Sequence, residues 1–143
     1  MMQINSFVGE YEFLSNFYRS PFFMEGHVFP TVEHYFQACK TLDASEFKHV
    51  VNQRTPGQAK RAGQKVKLRD DWEAIKVRIM FQAVLAKFNQ NGDLRKRLIA
   101  IRGKLVEGNS WGDTYWGVCG GQGQNKLGII LSDVRSILGS RNG

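Results

Sequence analysis

Residues 30–40 read "PTVEHYFQACK", and this stretch decides the fold. Pro30 halts whatever precedes it, and the hydroxyl of Thr31 can accept an amide N–H of the first helical turn, which makes it an N-cap. Val32, Tyr35, Phe36 and Cys39 then follow at i, i+3, i+4 and i+7, the spacing of a buried helical stripe. Glu33, Gln37 and Lys40 repeat that spacing one residue on, about 100° around the axis. A second row, made of a carboxylate, a carboxamide and an amine, therefore borders the core. A solvated flank accounts for the row too, with Glu33 at the positive end of the helix dipole and Lys40 at the negative end. The rest of the chain decides between the two readings.

On the N-terminal side, "INSFVG" (4–9) offers a short strand, and "SPFFMEGHVFP" (20–30) reads as two short strands around a Glu25-Gly26 turn, bracketed by Pro21 and Pro30. On the C-terminal side, "TPGQAKRAGQ" (55–64) starts a helix with Thr55 as cap, Pro56 at its first position and Gln58 completing a capping box. "DDWEAIKVRIMFQAVLAKF" (70–88) is the strongest helical pattern, with Asp70 as cap, Glu73 as box partner and an inner face of Trp72, Ile75, Ile79, Ala83 and Ala86. "DLRKRLIAIR" (93–102) is a further helix capped by Asp93, and "KLVEG" (104–108) a short strand. The last helix starts at about Leu127 and buries Leu127, Ile130, Leu131, Val134, Ile137 and Leu138. Strands come early and late with helices between them. That order predicts a helix-rich α+β fold with a small β-sheet, one domain over residues 1–143, without the alternation of a doubly wound sheet.

A chain of 143 residues can bury a core without staples. Its 42% hydrophobic and 12% aromatic content excludes a disordered segment. No apolar run approaches the roughly 20 residues of a membrane span, and "MMQINSFVGEYEF" lacks the layout of a secretion signal. No membrane partner is expected, and the cytoplasm is the expected compartment. Cys39 and Cys119 lie far apart without a CxxC pattern, so neither zinc nor a disulfide framework is indicated. The net charge is +7 and the pI near 9.7. The excess gathers in "AKRAGQKVKLR" (Lys60, Arg61, Lys65, Lys67, Arg69) and "LRKRL" (Arg95, Lys96, Arg97). Such clusters attract polyanions, although one cluster alone is more often a solvated helix face.

Between the late strand and the last helix runs "GNSWGDTYWGVCGGQGQNKLG", Gly108 to Gly128. A segment this long without secondary structure of its own is functional or disordered, and Trp111, Tyr115 and Trp116 argue against disorder. Its "GGQGQNK" fails the P-loop pattern, with Asn125 at the second glycine and Leu127 in place of Ser or Thr. It also fails GxGxxG, with Lys126 at the final glycine. It reads as a ligand-binding loop with aromatic stacking surfaces and one acid, Asp113. His27, His34 and His49 form no metal-binding spacing, no GxSxG occurs, and nothing pairs Cys119 with a histidine. No metal and no cofactor are expected.

Three stretches together, "FLSNF" (13–17), "FPTVEHYFQACK" (29–40) and "WGDTYWGVCGGQGQNKLG" (111–128), resemble the NADAR (YbiA-like) family in their order along the chain. "WEAIKVRIMFQAVLAKF" and "LGIILSDVRSIL" resemble that family's helices. The resemblance implies a compact α+β fold and N-glycosidase activity on ribosylated nitrogen bases. Two substrate classes occur in the family: ADP-ribosylated guanine in nucleic acid, and early phosphorylated riboflavin-pathway intermediates. For the first class it implies an essential lysine able to form a Schiff base with the opened sugar. Two lysines can be proposed for that role, and Lys40 is the one the polar row selects.

Breaking a C–N glycosidic bond builds positive charge on the sugar carbon. A nearby carboxylate stabilises that charge, and Glu33 suits this role or that of general base. Gln37 between Glu33 and Lys40 can orient a sugar hydroxyl. Trp111, Tyr115 and Trp116 can stack on a base, and glycine-loop amides can bind a diphosphate. Asn16 and Phe17 from the first motif, with Asp113, Gly117 and Asn125 from the third, complete the substrate-binding candidates. The expected partner is ADP-ribosylated nucleic acid, because a line of phosphates suits the basic clusters. The alternatives are a small phosphorylated N-riboside of the riboflavin pathway, and a non-catalytic ADP-ribose-binding module.

Overall fold

The computed structural model of the chain describes residues 3–142. In chain order its elements are β1 (Gln3–Ile4), a 3-10 helix (Gly9–Leu14), β2 (Phe22–Met24), β3 (His27–Phe29), α1 (Val32–Ala38), α2 (Ala44–Val51), α3 (Pro56–Gly63), α4 (Trp72–Gln90), α5 (Gly92–Ala100), β4 (Lys104–Leu105) and α6 (Lys126–Asn142). The fold is helix-rich α+β, as expected, with its strands divided between two two-stranded sheets. Contacts gather into two compact units, Asn16–Gln90 and the residues up to Ser15 together with those from Asn91 onward.

In the unit Asn16–Gln90, β2 and β3 form the antiparallel hairpin expected from sequence, with Phe22 opposite Phe29 and Met24 opposite His27. Its two-residue turn has φ of 54° at Glu25 and 84° at Gly26, the left-handed pair that matches the twist of hairpin strands. The hairpin points Phe22 and Phe29 inward, where Phe29 meets Tyr35 of α1 edge-on at 4.8 Å between centroids. Helix α1 packs against α2, α3 and α4. Ala38, Val50 and Ala59 are fully buried between the first three. Small side chains there let the helix axes approach closely.

Helix α2 went unassigned in the sequence; it is only eight residues long. Asp43 caps it by accepting the Glu46 N–H at 2.8 Å. Thr31 and Thr55 cap α1 and α3 as expected. Helix α4 starts at Trp72, so the position before it is Asp71 and not Asp70. The Asp71 carboxylate pairs with Arg69 at 2.6 Å, and its carbonyl accepts the Ala74 and Ile75 N–H groups. The buried face of α4 is Trp72, Ile79, Met80, Ala83, Val84, Lys87 and Phe88, while Ile75 and Ala86 are half-buried. The stripe is wider and rotated from the one read in the sequence.

In the other unit, β1 pairs in parallel with β4, Ile4 opposite Leu105. Of the expected strand 4–9 only Ile4 lies in β1, which begins one residue earlier at Gln3; from Gly9 the chain forms the 3-10 helix. Helix α5 begins one residue before Asp93, after an Asn91 that makes no side-chain cap, which corrects the expected Asp93 cap. Arg135 of α6 donates to the carbonyls of Ile101 and Gly103 at 3.0 and 2.9 Å and fixes the chain that follows α5. The α6 face buries Leu127, Ile130, Leu131, Val134 and Leu138 as expected, with Ile137 only half-buried. No helix among the described residues is long and apolar enough to cross a membrane.

Candidate active site

Every residue of α1 is buried, including Glu33 at 7% exposure, His34 at 0% and Gln37 at 3%. The solvated-flank reading of the polar row is therefore excluded. Its two lower members are joined, with Gln37 Nε2 donating to Glu33 Oε2 at 2.7 Å. The Gln37 Oε1 has no hydrogen-bond partner among the described residues. Gln37 rests on Gly63 of α3, where a Cβ would collide with the carboxamide and lie 2.8 Å from Gln37 Cβ. Only glycine gives α3 that approach. Asn16 closes the first turn of α1: its carbonyl accepts the Glu33 N–H at 3.1 Å, and its Nδ2 donates to Met80 Sδ at 3.5 Å. Phe17 beside it is 44% exposed.

Lys40 is not in the helix. Cys39 is the C-cap, and the Lys40 N–H turns back to the Gln37 carbonyl at 3.2 Å. The side chain is half-buried, with Nζ 5.8 Å from the centroid of the Phe36 ring. Burial holds its pKa below that of an ordinary lysine. Glu33 opposes this shift, and Lys60 and Lys76 add to it by repulsion. Glu33 and Lys40 thus act on each other through space while Gln37 holds the carboxylate.

His34, between Glu33 and Tyr35, has a different use. Its Nε2 lies 2.8 Å from the Gln53 carbonyl, which only accepts, so Nε2 carries the proton and Nδ1 accepts the Thr31 hydroxyl at 2.8 Å. Burial lowers its pKa, so the neutral ring is the resident form. It locks α1 to the chain after α2. Cys39 and Cys119 are both reduced, and burial pushes the Cys39 thiol up to about 11.

Two polar groups escaped the sequence reading. Lys87 is 1% exposed, and burial pushes its pKa down to about 7. Its Nζ lies 5.7 Å from the centroid of Tyr18 and 5.0 Å from that of Phe88. Its position four residues after Ala83, on the inner stripe of α4, was the available signal. Glu107, just before the loop, is half-buried and accepts from Asn109 Nδ2 at 3.2 Å. No sequence spacing marks it.

In the other unit, the loop after Glu107 is not structureless. Thr114 to Val118 pairs by backbone hydrogen bonds with Gln124 to Leu127 and with Glu107 and Asn109. Asp113 Oδ1 accepts the N–H groups of Tyr115 and Trp116 at 3.1 and 2.9 Å. Buried Asn125 accepts from the Glu107 N–H and donates to the Leu105 carbonyl. Gly117 is buried where a Cβ would collide with Glu107. The side chains of Asp113 and Asn125 thus turn back onto the loop's own backbone. The rings of Tyr115 and Trp116 meet edge-on at 4.9 Å, Lys126 Nζ lies 5.6 Å from the Tyr115 centroid, and Trp111 is 66% exposed.

Of the basic clusters, Arg69 is bound by Asp71 and Arg97 by the Glu10 carbonyl at 2.8 Å and the Phe13 ring at 4.0 Å. Lys60, Arg61, Lys65 and Lys67 are exposed. Two surface concavities of about 600 and 500 Å³ flank Leu42 at the start of α2, and neither is lined by Glu33, Lys40 or Lys87. No group of three or more His, Cys, Asp or Glu is placed to hold a metal among the described residues.

The NADAR domain model matches residues 6–139, and the chain belongs to the NADAR family. It is 40% identical over 133 residues to N-glycosidase YbiA of Escherichia coli (strain K12), covering 90% of this chain and 82% of that protein. It is 36% identical over 129 residues to riboflavin biosynthesis protein VVA0006 of Vibrio vulnificus (strain YJ016), covering 88% of this chain and 35% of that protein. The NMR structure of E. coli YbiA matches with a TM-score of 0.87 and 37% identity, over 99% of this chain and 86% of that one.

Proposed function

We propose that the chain is an N-glycosidase that hydrolyses the bond between ADP-ribose and guanine in nucleic acid. The observation that carries this reading is the buried Glu33 carboxylate, held at 2.7 Å by Gln37 and within electrostatic reach of Lys40. As the C–N bond breaks, the base nitrogen leaves with the bonding electrons and positive charge develops on the sugar carbon. A carboxylate in low dielectric stabilises that charge far better than one in water. Glu33 then takes a proton from the water that adds to the same carbon, and the departing nitrogen is protonated. The Escherichia relative is named an N-glycosidase, which supports the reaction type. The exposed Lys60, Arg61, Lys65 and Lys67 favour a polyanionic substrate.

Lys40 is the amine of this reading: its neutral form, favoured by burial and two neighbouring cations, adds to the sugar carbon in place of water as the base leaves with a proton. Ring opening gives a Schiff base that water then hydrolyses to ADP-ribose and the free amine. A specific observation favours Lys87 as a second reading: at about 7 its pKa frees a lone pair at neutral pH through burial. Borohydride reduction during turnover, followed by peptide mapping, identifies the lysine that carries the sugar. The loop with Trp111, Tyr115 and Trp116 is assigned to the base, as a binding element of its own unit.

The substrate alternative, a phosphorylated riboflavin-pathway intermediate, is favoured by the name of the Vibrio relative. One experiment separates the readings. The full chain is incubated with an ADP-ribosylated guanine oligonucleotide and, in parallel, with the riboflavin intermediates. Release of free ADP-ribose from the first is expected. Cleavage of the second alone transfers the function to the riboflavin class, and binding of ADP-ribose without any cleavage makes the protein a binding module.

A further inference from the structure

Lys40 sits one residue beyond the C-cap of α1, outside the helical ladder. Its N–H turns back to the Gln37 carbonyl at 3.2 Å, and its carbonyl accepts the Arg69 N–H at 2.8 Å. Both main-chain groups of Lys40 are therefore engaged, the second by the segment between α3 and α4. The Arg69 guanidinium adds a bond from Nη1 to the Cys39 carbonyl at 3.4 Å. One residue thus meets the two carbonyls that follow α1, by main chain and by side chain. A helix C-terminus leaves such carbonyls open, and a cation there also suits the negative end of the dipole.

The guanidinium is itself braced. Its Nε and Nη2 donate to Asp71 Oδ1 and Oδ2 at 2.6 and 3.1 Å, a two-point fork that leaves Nη1 for Cys39. The Arg69 carbonyl accepts the Trp72 N–H at 3.3 Å, which closes residues 69–72 into a turn at the start of α4. The Trp72 ring then lies 5.0 Å from that of Phe36, centroid to centroid. Lys40 Nζ lies 5.8 Å from the same Phe36 centroid. The turn therefore reaches Lys40 twice, at its carbonyl and through the aromatic wall beside its amine. The Arg69 and Asp71 side chains are 22% and 52% exposed, and a pair this open to water contributes little to stability. What it supplies is geometry.

We propose that Arg69, braced by Asp71, is the positioning residue of Lys40, fixing its backbone so that the amine stays against Phe36. That this amine attacks a sugar rests on the function proposed above; the fixing of Lys40 rests on the hydrogen bonds alone. A lysine amine rides on a flexible four-carbon stem, and addition to a sugar carbon needs the reacting atoms about 3–3.5 Å apart. A stem whose own residue is anchored at both main-chain groups narrows the volume its amine sweeps. Arg69→Lys would keep the charge and lose the arrangement, because one ammonium has no planar fork to hold two Asp71 oxygens and still face Cys39. The assignment also takes Arg69 out of the polyanion-binding surface, where its neighbours Lys65 and Lys67 remain.

Competitive labelling of the full chain with acetic anhydride from about pH 6 to 11, followed by peptide mapping, reads the protonation midpoint of Lys40. In the parent that midpoint lies below an ordinary lysine's, since burial, with Lys60 and Lys76, outweighs Glu33. Arg69→Lys, Arg69→Gln and Asp71→Asn should melt like the parent, yet each should raise the midpoint as the amine leaves Phe36 for water. Charge alone predicts otherwise: Arg69→Lys would leave the midpoint in place, and Asp71→Asn would lower it. With the ADP-ribosylated oligonucleotide, kcat should fall by about 10²-fold, the cost of a misplaced group, with KM within about twofold. Lys104→Gln, which removes one charge from β4, should match the parent in every readout. The proposal is overturned if Arg69→Lys keeps the parental midpoint or if Asp71→Asn lowers it. It is also overturned if all three variants melt well below the parent, since Arg69 then holds the fold and not the amine. If the midpoints rise while kcat holds, the positioning stands and Lys40 loses its part in the proposed reaction. Labelling needs no substrate, so a failed glycosidase assay leaves it free to decide.

Discussion

The polar side chains of α1 and those of the loop after Glu107 lie in different units and are used in opposite ways. In the loop, Asp113, Asn109 and Asn125 turn back onto main-chain groups, so their hydrogen-bonding capacity is consumed in holding a glycine-rich backbone in place. In α1, Gln37 keeps an acceptor with no hydrogen-bond partner among the described residues, and the Glu33 carboxylate accepts from the Gln37 carboxamide. His34 shows that α1 is capable of the other pattern, since both of its ring nitrogens are engaged. Burying polar groups without satisfying them costs free energy. A fold keeps such groups where a ligand completes them. The loop's polar groups hold its backbone, and the α1 row is the part proposed for chemistry.

The largest expected effect breaks the α1 side of this contrast. Glu33→Gln keeps size and hydrogen-bonding ability but removes the charge. Turnover should fall by about 10²–10³, the usual loss for one transition-state electrostatic contact, with an unchanged circular dichroism spectrum. Single-turnover release of ADP-ribose measures it. Near-parental turnover would put Glu33 in the scaffold class with Asp113.

Next is Lys87, the most extreme burial of charge in the unit. Its pKa is about 7 in the folded chain against 10.5 for an ordinary lysine. Between those values the unfolded chain holds a proton that the folded one lacks, so stability rises with pH across that window. Below pH 7 both states are protonated and the destabilisation is complete. Lys87→Met should therefore stabilise the protein at and below pH 7, by an amount on the order of a few kcal/mol. It should also flatten the rise between pH 7 and 10. Urea denaturation across pH 6 to 10 reads both, and parallel curves for the two proteins would show that Lys87 is comfortably solvated or paired where it sits.

Much of this was legible in the sequence, and the reasons for the gaps are physical. The α1 cap, the Glu25-Gly26 turn and the α3 cap were readable because each rests on local chemistry within four residues. The row of Glu33 and Gln37 was visible as a period, but its complete burial was not. Burial depends on Gly63 and the small residues Ala38 and Ala59, which admit α3 from a distant part of the chain. Lys40 was read as helical because the period continues past Cys39, and nothing local marks the helix end there. Helix α2 was missed although Phe47, Val50 and Val51 stand at helical spacing behind the Asp43 cap, because eight residues give that stripe only about two turns. The loop was read as structureless because its pairing joins segments ten residues apart through glycines that carry no side-chain pattern.

On the loop side, Asn125→Ala removes both bonds that a buried carboxamide makes to Glu107 and Leu105. It leaves two backbone groups unsatisfied and a residue at φ 53° without the asparagine that tolerates it. A loss of about 1–3 kcal/mol in thermal or urea unfolding is expected. An affinity change with no stability change would reverse the assignment and make Asn125 a ligand contact.

The smallest effect sharpens the contrast within the loop itself. Tyr115 and Trp116 are half-buried against each other, and the Trp116 carbonyl accepts the Leu127 N–H, so removing either ring disturbs packing as well as any ligand surface. Trp111 is 66% exposed and is therefore the cleaner probe. Surface substitutions away from such packing stay within about 0.5 kcal/mol, so Trp111→Ala should melt with the parent. Stacking of an aromatic side chain on a base is worth about 1–3 kcal/mol, and an exposed ring realises the lower end of that range. ADP-ribose affinity should then weaken by about fivefold, while affinity for ribose 5-phosphate, which has no base to stack, stays the same. Equal affinities for both ligands would make Trp111 an ordinary exposed side chain and leave base recognition to Tyr115 and Trp116. Equal weakening of both would mean that the loop touches the sugar phosphate rather than the base.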